Sequence, residues 1–228
     1  PKLKECRYHL NSAPASHRDE AEKSMIFLTE GDSAAGTITK SRNSDYQAIF
    51  ALRGKILNVQ GKNRTEIYKN EELYNMMIAL GIEESIENLR YGKVVIATDA
   101  DVDGFHIRIL IMTYFFTYFE ELIEQGRLFI LETPLFRVRN KKENCYCYSE
   151  EERDEAIKKI KGAEVTRFKG LGEISPNEFK AFIGDEIRLV PVTYDSLAEI
   201  RREMEFYMGD NTPDRRDFIM ENLLDGTS

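Results

Sequence analysis

The sequence has few cysteines, and their number and spacing exclude two common kinds of site. Its 228 residues include only Cys6, Cys145 and Cys147. An odd number with a single C-x-C pair matches neither a disulfide framework nor the paired spacing of a structural zinc site. The simplest expectation for such a chain is a reducing compartment, and therefore a cytoplasmic location.

The chain also lacks an excess of positive charge and a long apolar run. Its net charge of −8, from 32 basic and 40 acidic residues, argues against a free-standing protein that simply coats DNA, although it allows local basic patches. The most apolar segment, FHIRILIMTYFFTYFEELIEQG, has an uncharged stretch of only 11 residues at 109–119. Because a membrane span needs about 20, we expect a buried helix there and no membrane association.

Neither an initiator Met nor a signal peptide opens the sequence, which begins PKLKEC. We therefore expect a piece of a longer protein. With 42% hydrophobic and 32% charged residues, the composition is typical of a folded globular protein. The length suffices for one large domain or two modest ones.

Apolar strands alternate with helical patterns through the first 135 residues. MIFLTE (25–30), YQAIFAL (46–52) and KVVIAT (93–98) are typical of buried strands, whereas EELYNMMIALG (71–81) has helical periodicity and ends at Gly81, a common C-cap. This alternation predicts an α/β fold with a parallel sheet flanked by helices. After MIFLTE, the segment GDSAAG predicts a helix start with Asp32 or Ser33 as N-cap.

The rest of the chain predicts a smaller, mostly helical tail. Ser149 and Glu152 have the spacing of a capping box, and Ser175-Pro176 with Glu178 marks a second helix start. RLFILET and LFRVR predict further strands. A helical stripe and a last helix are predicted from Leu197, Ile200, Met204 and Tyr207 and from Thr212-Pro213. We divide the chain into a lead-in (1–23), an α/β metal-binding domain (24–135) and a tail region (136–228).

Three aspartates stand at alternate positions directly after the strand KVVIA. Asp99, Asp101 and Asp103 form D-x-D-x-D-G, which also begins an EF-hand loop. An EF-hand that started at Asp99 would need a Glu at its twelfth position, but that position is Leu110. The segment before the aspartates is also a strand, where an EF-hand has a helix. The sequence thus excludes a calcium-sensor loop.

The ends of two predicted strands favour a magnesium site. In parallel sheets, ligands bind beyond the carboxyl ends of the strands, so Glu30 and Asp99 are expected to face one crevice, with Asp101 and Asp103 in the loop above it. Carboxylates without Cys or His suit Mg²⁺, which supports phosphoryl-transfer chemistry. The alternatives are a solvated Asp-rich turn, and a phosphatase or glycosyltransferase with a D-x-D pair, which would leave Glu30 unexplained.

Several motifs resemble those of a known family. EGDSAAG (30–36) and DADVDG (99–104) are similar to the two signatures of a Toprim domain. The chain also resembles the B subunit of bacterial type IIA topoisomerases in four motifs, which follow one another in the same order. They are KLKEC near the start, LRGKILNV (52–59), DADVDGFHIR (99–108) and RFKGLGE (167–173). The resemblance implies a Rossmann-like Toprim domain over 24–135, followed by the helical tail.

The resemblance also implies an activity and partners. It implies a subunit fragment of an ATP-driven A₂B₂ topoisomerase that cleaves and religates double-stranded DNA with Mg²⁺, its nucleophilic tyrosine lying on the A subunit. The ATP-binding segments would precede Pro1, and the fragment alone would be inactive. Within the family, LRYGKV, RFKGLGE, the short CYCYSEEER passage and the lack of a long insertion before FKGLGE favour topoisomerase IV, whereas MGDNTPDRRDFI is nearer to gyrase.

Metal and catalytic roles follow from the matched motif positions. Glu30 is implied to be a metal ligand and the general acid-base group at the scissile phosphate. Asp99 and Asp101 are implied to be catalytic metal ligands, and Asp103 a ligand directly or through water. These assignments agree with the chemistry, because a departing sugar oxygen needs a cation or a proton nearby.

DNA and inhibitor contacts are implied in the same way. Arg53 and Lys55 resemble contacts to the DNA backbone, and Lys169 resembles a residue close to the cleavage site. Asp32 and Arg53 match positions that influence quinolone-type inhibitors. For Arg53 and Lys55 the ordinary alternative is a solvated pair in a loop, but their place after a strand, beside the predicted metal, favours phosphate contact.

Two other classes of function stay open at this point. In one, the chain is a non-catalytic assembly module whose acidic loop binds Mg²⁺ only to stiffen the fold. In the other, it is a different Toprim enzyme, such as a primase or nuclease, which would act without an A subunit. The LRGKILNV and FKGLGE motifs argue against the second.

Overall fold

The computed structural model describes residues 2–53, 56–99, 101–196, 199 and 202. Its contacts divide the chain into two units, Pro1–Pro191 and Val192–Ser228. All of the strands and helices that follow lie in the first unit. The predicted DNA contact Lys55, the stripe of Leu197, Ile200, Met204 and Tyr207, and the last helix at Thr212-Pro213 lie outside the described residues.

Nine strands form two sheets in the part of the chain that the structure describes. In chain order they are β1 (Leu3–Lys4), β2 (Met25–Glu30), β3 (Gln47–Leu52), β4 (Lys93–Ala97), β5 (Leu128–Glu132), β6 (Phe136–Arg139), β7 (Asn144–Cys147), β8 (Glu164–Arg167) and β9 (Arg188–Pro191). The larger sheet has the order β1-β3-β2-β4-β5-β9. Its four central strands are parallel, and the edge strands β1 and β9 are antiparallel to their neighbours. The predicted parallel sheet is confirmed.

Eight α-helices accompany these strands among the described residues of the first unit. They are α1 (Arg18–Lys23), α2 (Gly31–Ser41), α3 (Arg64–Lys69), α4 (Glu71–Leu80), α5 (Val102–Tyr118), α6 (Glu121–Glu124), α7 (Glu150–Lys159) and α8 (Pro176–Phe182). α4 ends as predicted at Gly81, whose φ of 74° is the left-handed conformation that glycine adopts easily. Within the described part of the chain, no helix is both long and apolar enough to span a bilayer.

Both faces of the central strands are buried, which explains why their sequences are apolar without alternation. Phe27 and Val95 pair in register and belong to a core cluster that also contains Ile38 of α2 and Phe179 of α8. All four are fully or almost fully buried. The carboxyl ends of β2 and β4 are therefore fixed by a packed core that includes helices from the beginning and the end of the unit.

Two local predictions were wrong. The helix after β2 is capped by Glu30 rather than by Asp32 or Ser33, because the chain turns directly out of the strand at Gly31, whose φ is 68°. The long apolar helix is two helices, because Phe119 leaves the helical conformation (φ −141°, ψ 49°) and is itself buried. α5 therefore ends at Tyr118 and α6 follows separately.

The predicted tail region contains a small antiparallel sheet beside its helices, with the order β7-β6-β8. Phe136 and Val138 of β6 and Cys147 of β7 form an apolar cluster with Ala156 of α7. The two predicted helix starts are confirmed, since Ser149 and Ser175 cap α7 and α8. The division of the chain at 1–23, 24–135 and 136–228 stays a prediction.

Candidate functional site

Two carboxylates lie at the carboxyl ends of neighbouring parallel strands. Glu30 is the last residue of β2, and Asp99 follows β4 by two residues. β2 and β4 pair in parallel, so both side chains start from the same edge of the sheet, as predicted. Glu30 is partly buried, and burial raises its pKa above the ordinary value, with further increases from the negative charges of Asp99, Asp101 and Asp103.

Asp99 is held from the distant RFKGLGE segment. Its Oδ1 accepts a hydrogen bond of 2.8 Å from the backbone N–H of Leu171. Burial raises the pKa of Asp99, the Leu171 hydrogen bond offsets part of this rise, and the charges of Asp101 and Glu173 add to it. The net shift is upward, so Asp99 is a carboxylate whose charge the surrounding chain does not fully compensate.

The other two aspartates are carried by the start of α5. Asp101 is the N-cap, and its Oδ1 accepts a hydrogen bond of 2.7 Å from the N–H of Gly104. Asp103 is exposed in the first turn. A Cβ on Gly104 would overlap the backbone carbonyl of Asp99, so the chain turns closely from strand to helix here. The alternating aspartates thus occupy a strand end, a helix cap and a helix turn.

The four carboxylates have no basic partner among the described residues, where no ion pair involves any of them. In the same part of the chain, no group of three His, Cys, Asp or Glu side chains is arranged to hold a metal ion. Mg²⁺ is commonly bound by only one or two carboxylates, with waters and substrate phosphates completing its shell. The uncompensated oxygen donors fit Mg²⁺ chemically, and the assignment of ligands stays a prediction.

Arg53 and Asp32, the two positions predicted to influence inhibitors, form an ion pair. Arg53 follows β3, and its Nη2 and Nε lie 3.2 and 3.3 Å from Asp32 Oδ1. The side chains are 52% and 72% exposed. The backbone N–H of Arg53 donates to the carboxylate of Glu72, 3.1 Å away. The pair lies beside the strand-end carboxylates, because β3 and β2 are parallel neighbours and Leu52 pairs with Glu30.

The RFKGLGE segment contacts the site through its backbone. Lys169 is exposed, and its N–H donates to Glu173 Oε2 at 2.9 Å. The contact from Leu171 to Asp99 was not predicted from the sequence, which singled out only Lys169 in this motif. The signal that could have indicated it is the pair of glycines on either side of Leu171, because glycine allows the backbone to approach another group closely.

A groove of about 590 Å³ lies between α2, β8 and the RFKGLGE segment. Its lining includes basic and acidic side chains, namely Lys40, Arg137 and Arg167 with Asp32, Glu173 and Glu178. Arg137 is ion-paired with Glu178, whereas among the described residues Lys40 and Arg167 have no acidic partner. The charges of the lining balance in number, and Lys40, Arg167 and Glu173 form no ion pair among the described residues.

Comparison with known proteins identifies the family. A model described as Toprim domain matches residues 25–133, and a model described as DNA gyrase B subunit, carboxyl terminus, matches residues 160–220. Over 98% of its length, the chain is 63% identical to the B subunit of DNA topoisomerase 4 from Borreliella burgdorferi. The chain belongs to the B-subunit family of type II DNA topoisomerases. The predicted family is confirmed.

Two further similarities agree with this result. Over 94% of its length, the chain is 39% identical to the B subunit of DNA gyrase from Thermotoga maritima. It spans 37% of the Borreliella relative and 35% of the Thermotoga relative. A crystal structure of the Plasmodium falciparum topoisomerase II DNA-binding, cleavage and re-ligation domain superposes with a TM-score of 0.76, covering 95% of this chain and 30% of that one. Its 24% identity supports the fold alone.

Proposed function

We propose that this chain supplies the Mg²⁺-binding, acid-base part of the DNA cleavage and religation centre of an ATP-dependent type II topoisomerase. The observation that carries the proposal is the placement of Glu30 and Asp99 at the ends of adjacent parallel strands, with raised pKa values and no basic partner among the described residues. Like-charged carboxylates in this arrangement are stabilised by a bound cation.

The four carboxylates have distinct proposed roles. Asp99 and Asp101 hold the metal, with Glu30 as a further ligand and Asp103 binding directly or through water. Mg²⁺ bound there would stabilise negative charge on the oxygens of the reacting phosphodiester. Glu30, whose raised pKa lies closer to neutrality, would accept a proton from one sugar or tyrosine oxygen and return it in the reverse step.

The proposed partners are double-stranded DNA and a tyrosine-bearing A subunit in an A₂B₂ assembly. Arg53, Lys55 and Lys169 are the proposed DNA contacts. For Arg53 the support is its position one residue after Leu52, which pairs with Glu30 across the sheet. ATP hydrolysis belongs to the remainder of the longer protein, and the proposed location of that protein is the cytoplasm.

Topoisomerase IV is the favoured enzyme, with gyrase as the alternative. The support is the 63% identity to the B subunit of a topoisomerase 4, compared with 39% to that of a gyrase. The two activities differ when the full-length B subunit is assembled with its A subunit and given ATP. Introduction of negative supercoils into relaxed DNA would identify gyrase, whereas decatenation without supercoiling would identify topoisomerase IV.

A cleavage assay tests the proposed chemistry. The chain is mixed with a cognate A subunit and duplex DNA, with and without Mg²⁺, and denaturant-resistant protein–DNA adducts are counted. We expect Mg²⁺-dependent adducts on the A subunit, which Glu30→Ala and Asp101→Ala abolish. Glu164→Ala, which removes an exposed carboxylate of the small sheet, is the matched control and should leave adduct formation unchanged. Full-length B subunit serves as the positive control.

The same assay separates the other classes of function. Adducts that survive both Glu30→Ala and Asp101→Ala would contradict a catalytic role and favour an assembly module that binds Mg²⁺ only for stability. DNA cleavage by the chain without an A subunit would instead favour a Toprim nuclease. Loss of adducts with unchanged folding of both variants would support the proposed split centre.

A further inference from the structure

The loop at 168–173 contacts Asp99 through backbone atoms alone. The N–H of Leu171 donates to Oδ1 at 2.8 Å. A Cβ on Gly170, the residue directly before Leu171, would lie 3.0 Å from Oδ2, 3.2 Å from Cγ and 3.4 Å from Oδ1. One oxygen of Asp99 is therefore bound to an amide, whereas the other faces a residue that has no side chain to cover it.

The backbone conformation of Gly170 does not require glycine. Its φ of −146° and ψ of 161° are extended values that any residue adopts. The missing side chain matters only because the loop approaches Asp99 so closely. Gly172 has a corresponding role two residues later, since a Cβ there would overlap the hydroxyl of Ser33 in the first turn of α2.

The donating amide is itself held firmly. Before it, Phe168 is buried and its N–H donates to the carbonyl of Leu135 at 2.8 Å. Leu171 and Ile174 are each 2% exposed and belong to the core cluster beneath α2. An amide fixed by a packed core on both sides can determine the orientation of the carboxylate that it binds.

We propose that the backbone of Gly170 and Leu171 positions Asp99 for the cation. The Leu171 amide fixes Oδ1, and the absence of a side chain at Gly170 leaves Oδ2 open to the metal. This inference rests on the proposed function, because the cation at Asp99 is part of that proposal. Groups that hydrogen-bond to metal ligands typically change metal affinity by about 10- to 100-fold.

The first experiment measures cation binding by the full chain without DNA or any A subunit. Mn²⁺ is the probe, because its binding can be followed directly and it occupies hard-oxygen sites of the same kind. Isothermal titration is performed on the wild type, Gly170→Ala and Asp99→Asn. We expect Gly170→Ala to weaken Mn²⁺ binding about tenfold or more, and Asp99→Asn to weaken it at least as much.

A second readout follows from the reciprocity of linked equilibria. If Leu171 and the cation both bind Asp99 in one orientation, the cation must stabilise the loop at 168–173 in the state in which Leu171 is bonded to Asp99. Saturating Mg²⁺ should therefore slow hydrogen exchange at the Leu171 amide in the wild type. The same addition should leave that exchange rate unchanged in Asp99→Asn, which isolates the effect from any general influence of Mg²⁺ on the fold.

Two control variants separate the contact with Asp99 from damage to the fold. Gly36→Ala is the matched control, since a Cβ there meets nothing within 4 Å, and it should keep wild-type affinity. Gly172→Ala tests the seating of the loop and should weaken binding. Adding Ser33→Ala should restore it, because the Ser33 hydroxyl is then gone and the Ser33 Cβ, 3.4 Å away, is in ordinary contact.

The outcomes distinguish this inference from the proposed function. Wild-type affinity in Gly170→Ala, together with weakened binding in Asp99→Asn, would overturn the positioning role and leave the metal site intact. Equal binding by the wild type and Asp99→Asn would overturn both. If Gly170→Ala does not fold, the Gly172→Ala pair decides: restoration by Ser33→Ala supports the inference, and failure to restore contradicts it.

Discussion

Glu178, at the start of α8, and the strand-end carboxylates Glu30 and Asp99 are all partly buried, yet their pKa values move in opposite directions. Burial by itself would raise the pKa of Glu178. Hydrogen bonds lower it below the ordinary value, because Glu178 accepts from the Ser175 hydroxyl at 2.8 Å, from Arg137 and from the Tyr146 hydroxyl at 2.9 Å. The chain thus neutralises this carboxylate with its own groups.

Glu30 and Asp99 lack such neutralisation. Asp99 has one amide donor, and no basic side chain of the described residues reaches either group. Burial raises the pKa of both carboxylates, and nearby negative charges raise it further, namely Asp99, Asp101 and Asp103 for Glu30 and Asp101 and Glu173 for Asp99. The difference shows that the fold can compensate a partly buried carboxylate with its own donors, as it does for Glu178. At the sheet edge it leaves the charges of Glu30 and Asp99 uncompensated. Charge of that kind is typical of sites that bind something from outside the chain.

The largest expected effect comes from removing the uncompensated charge. Asp99→Asn should lower adduct formation by about 100-fold or more, because the metal loses a ligand. In EDTA the same variant should have a higher free energy of unfolding than the wild type, because the cost of burying the charged carboxylate and its repulsion with Asp101 and Glu173 are removed. Urea denaturation with EDTA and with Mg²⁺ measures this. A lower free energy of unfolding for Asp99→Asn in EDTA would contradict the claim that the charge of Asp99 is uncompensated without metal.

Removing the compensated carboxylate should have a smaller effect, on stability instead of cleavage. Glu178→Ala leaves Arg137 and the Tyr146 hydroxyl without their acceptor, and we expect the free energy of unfolding to fall by about 2 kcal/mol. Glu164→Ala is the control, because its ion pair with Arg139 is exposed and should contribute nothing measurable. Equal free energies of unfolding for the two variants would contradict the stabilising role assigned to the hydrogen bonds of Glu178.

The free energy of unfolding should depend on pH in opposite ways for Glu178 and for Glu30 and Asp99, with a smaller amplitude than the effects of the substitutions above. Glu178 has a lowered pKa, so its stabilising contribution is full above the ordinary value of 4.5 and is lost as pH falls through its lower folded value. Glu30 and Asp99 have raised pKa values. Without metal, their ionised forms therefore lower the free energy of unfolding by the full amount above those values, and this loss is relieved as pH falls through them. Urea denaturation in EDTA from pH 7 to pH 3 measures both.

Substitution by glutamine tests which part of the pH dependence of stability comes from Glu178 and which from Glu30. Glu178→Gln should flatten the loss of stability below pH 4.5, whereas Glu30→Gln should reduce the loss of stability as pH rises above the ordinary value for glutamate. Parallel pH profiles for the wild type and both variants would contradict the assignment. The amplitudes need not match, because Glu30 is only partly buried.

The smallest stability effect is expected for Arg53→Ala. Its ion pair with Asp32 is exposed, so the free energy of unfolding should not change measurably. If Arg53 contacts a phosphate, DNA binding by the assembled enzyme should weaken uniformly across sequences, and the slope of log K against log salt should fall by about one. Arg139→Ala, a similarly exposed arginine of the small sheet, should change neither quantity.

Sequence patterns were sufficient where local signals determine the structure. The apolar runs of β2, β3 and β4 and the C-cap at Gly81 were predicted correctly because burial on two faces and left-handed glycine leave clear patterns. The parallel order of strands then indicated that Glu30 and Asp99 share one edge. Family resemblance was needed to assign them roles, which composition and spacing alone do not provide.

Other features left no such pattern. The bond from the Leu171 amide to Asp99 joins residues 72 positions apart and uses a backbone donor, so no side chain marks it. The pairing of β9 with β5 also joins residues far apart in the sequence, because Glu132 lies opposite Arg188. Glu30 caps α2 through its backbone conformation and not through a preferred capping side chain. Contacts of this kind depend on the assembled fold, which single-sequence periodicity does not encode.

The late arrival of β9 has a consequence for how the chain is made. β5 leaves the ribosome before its edge partner, which follows only after the small sheet, α7 and α8 have been synthesised. At ordinary translation rates of about 5–20 residues per second, that gap lasts about 3–11 s. During this interval the nascent sheet ends in an open strand, the structure most prone to pair with another growing chain on the same messenger RNA.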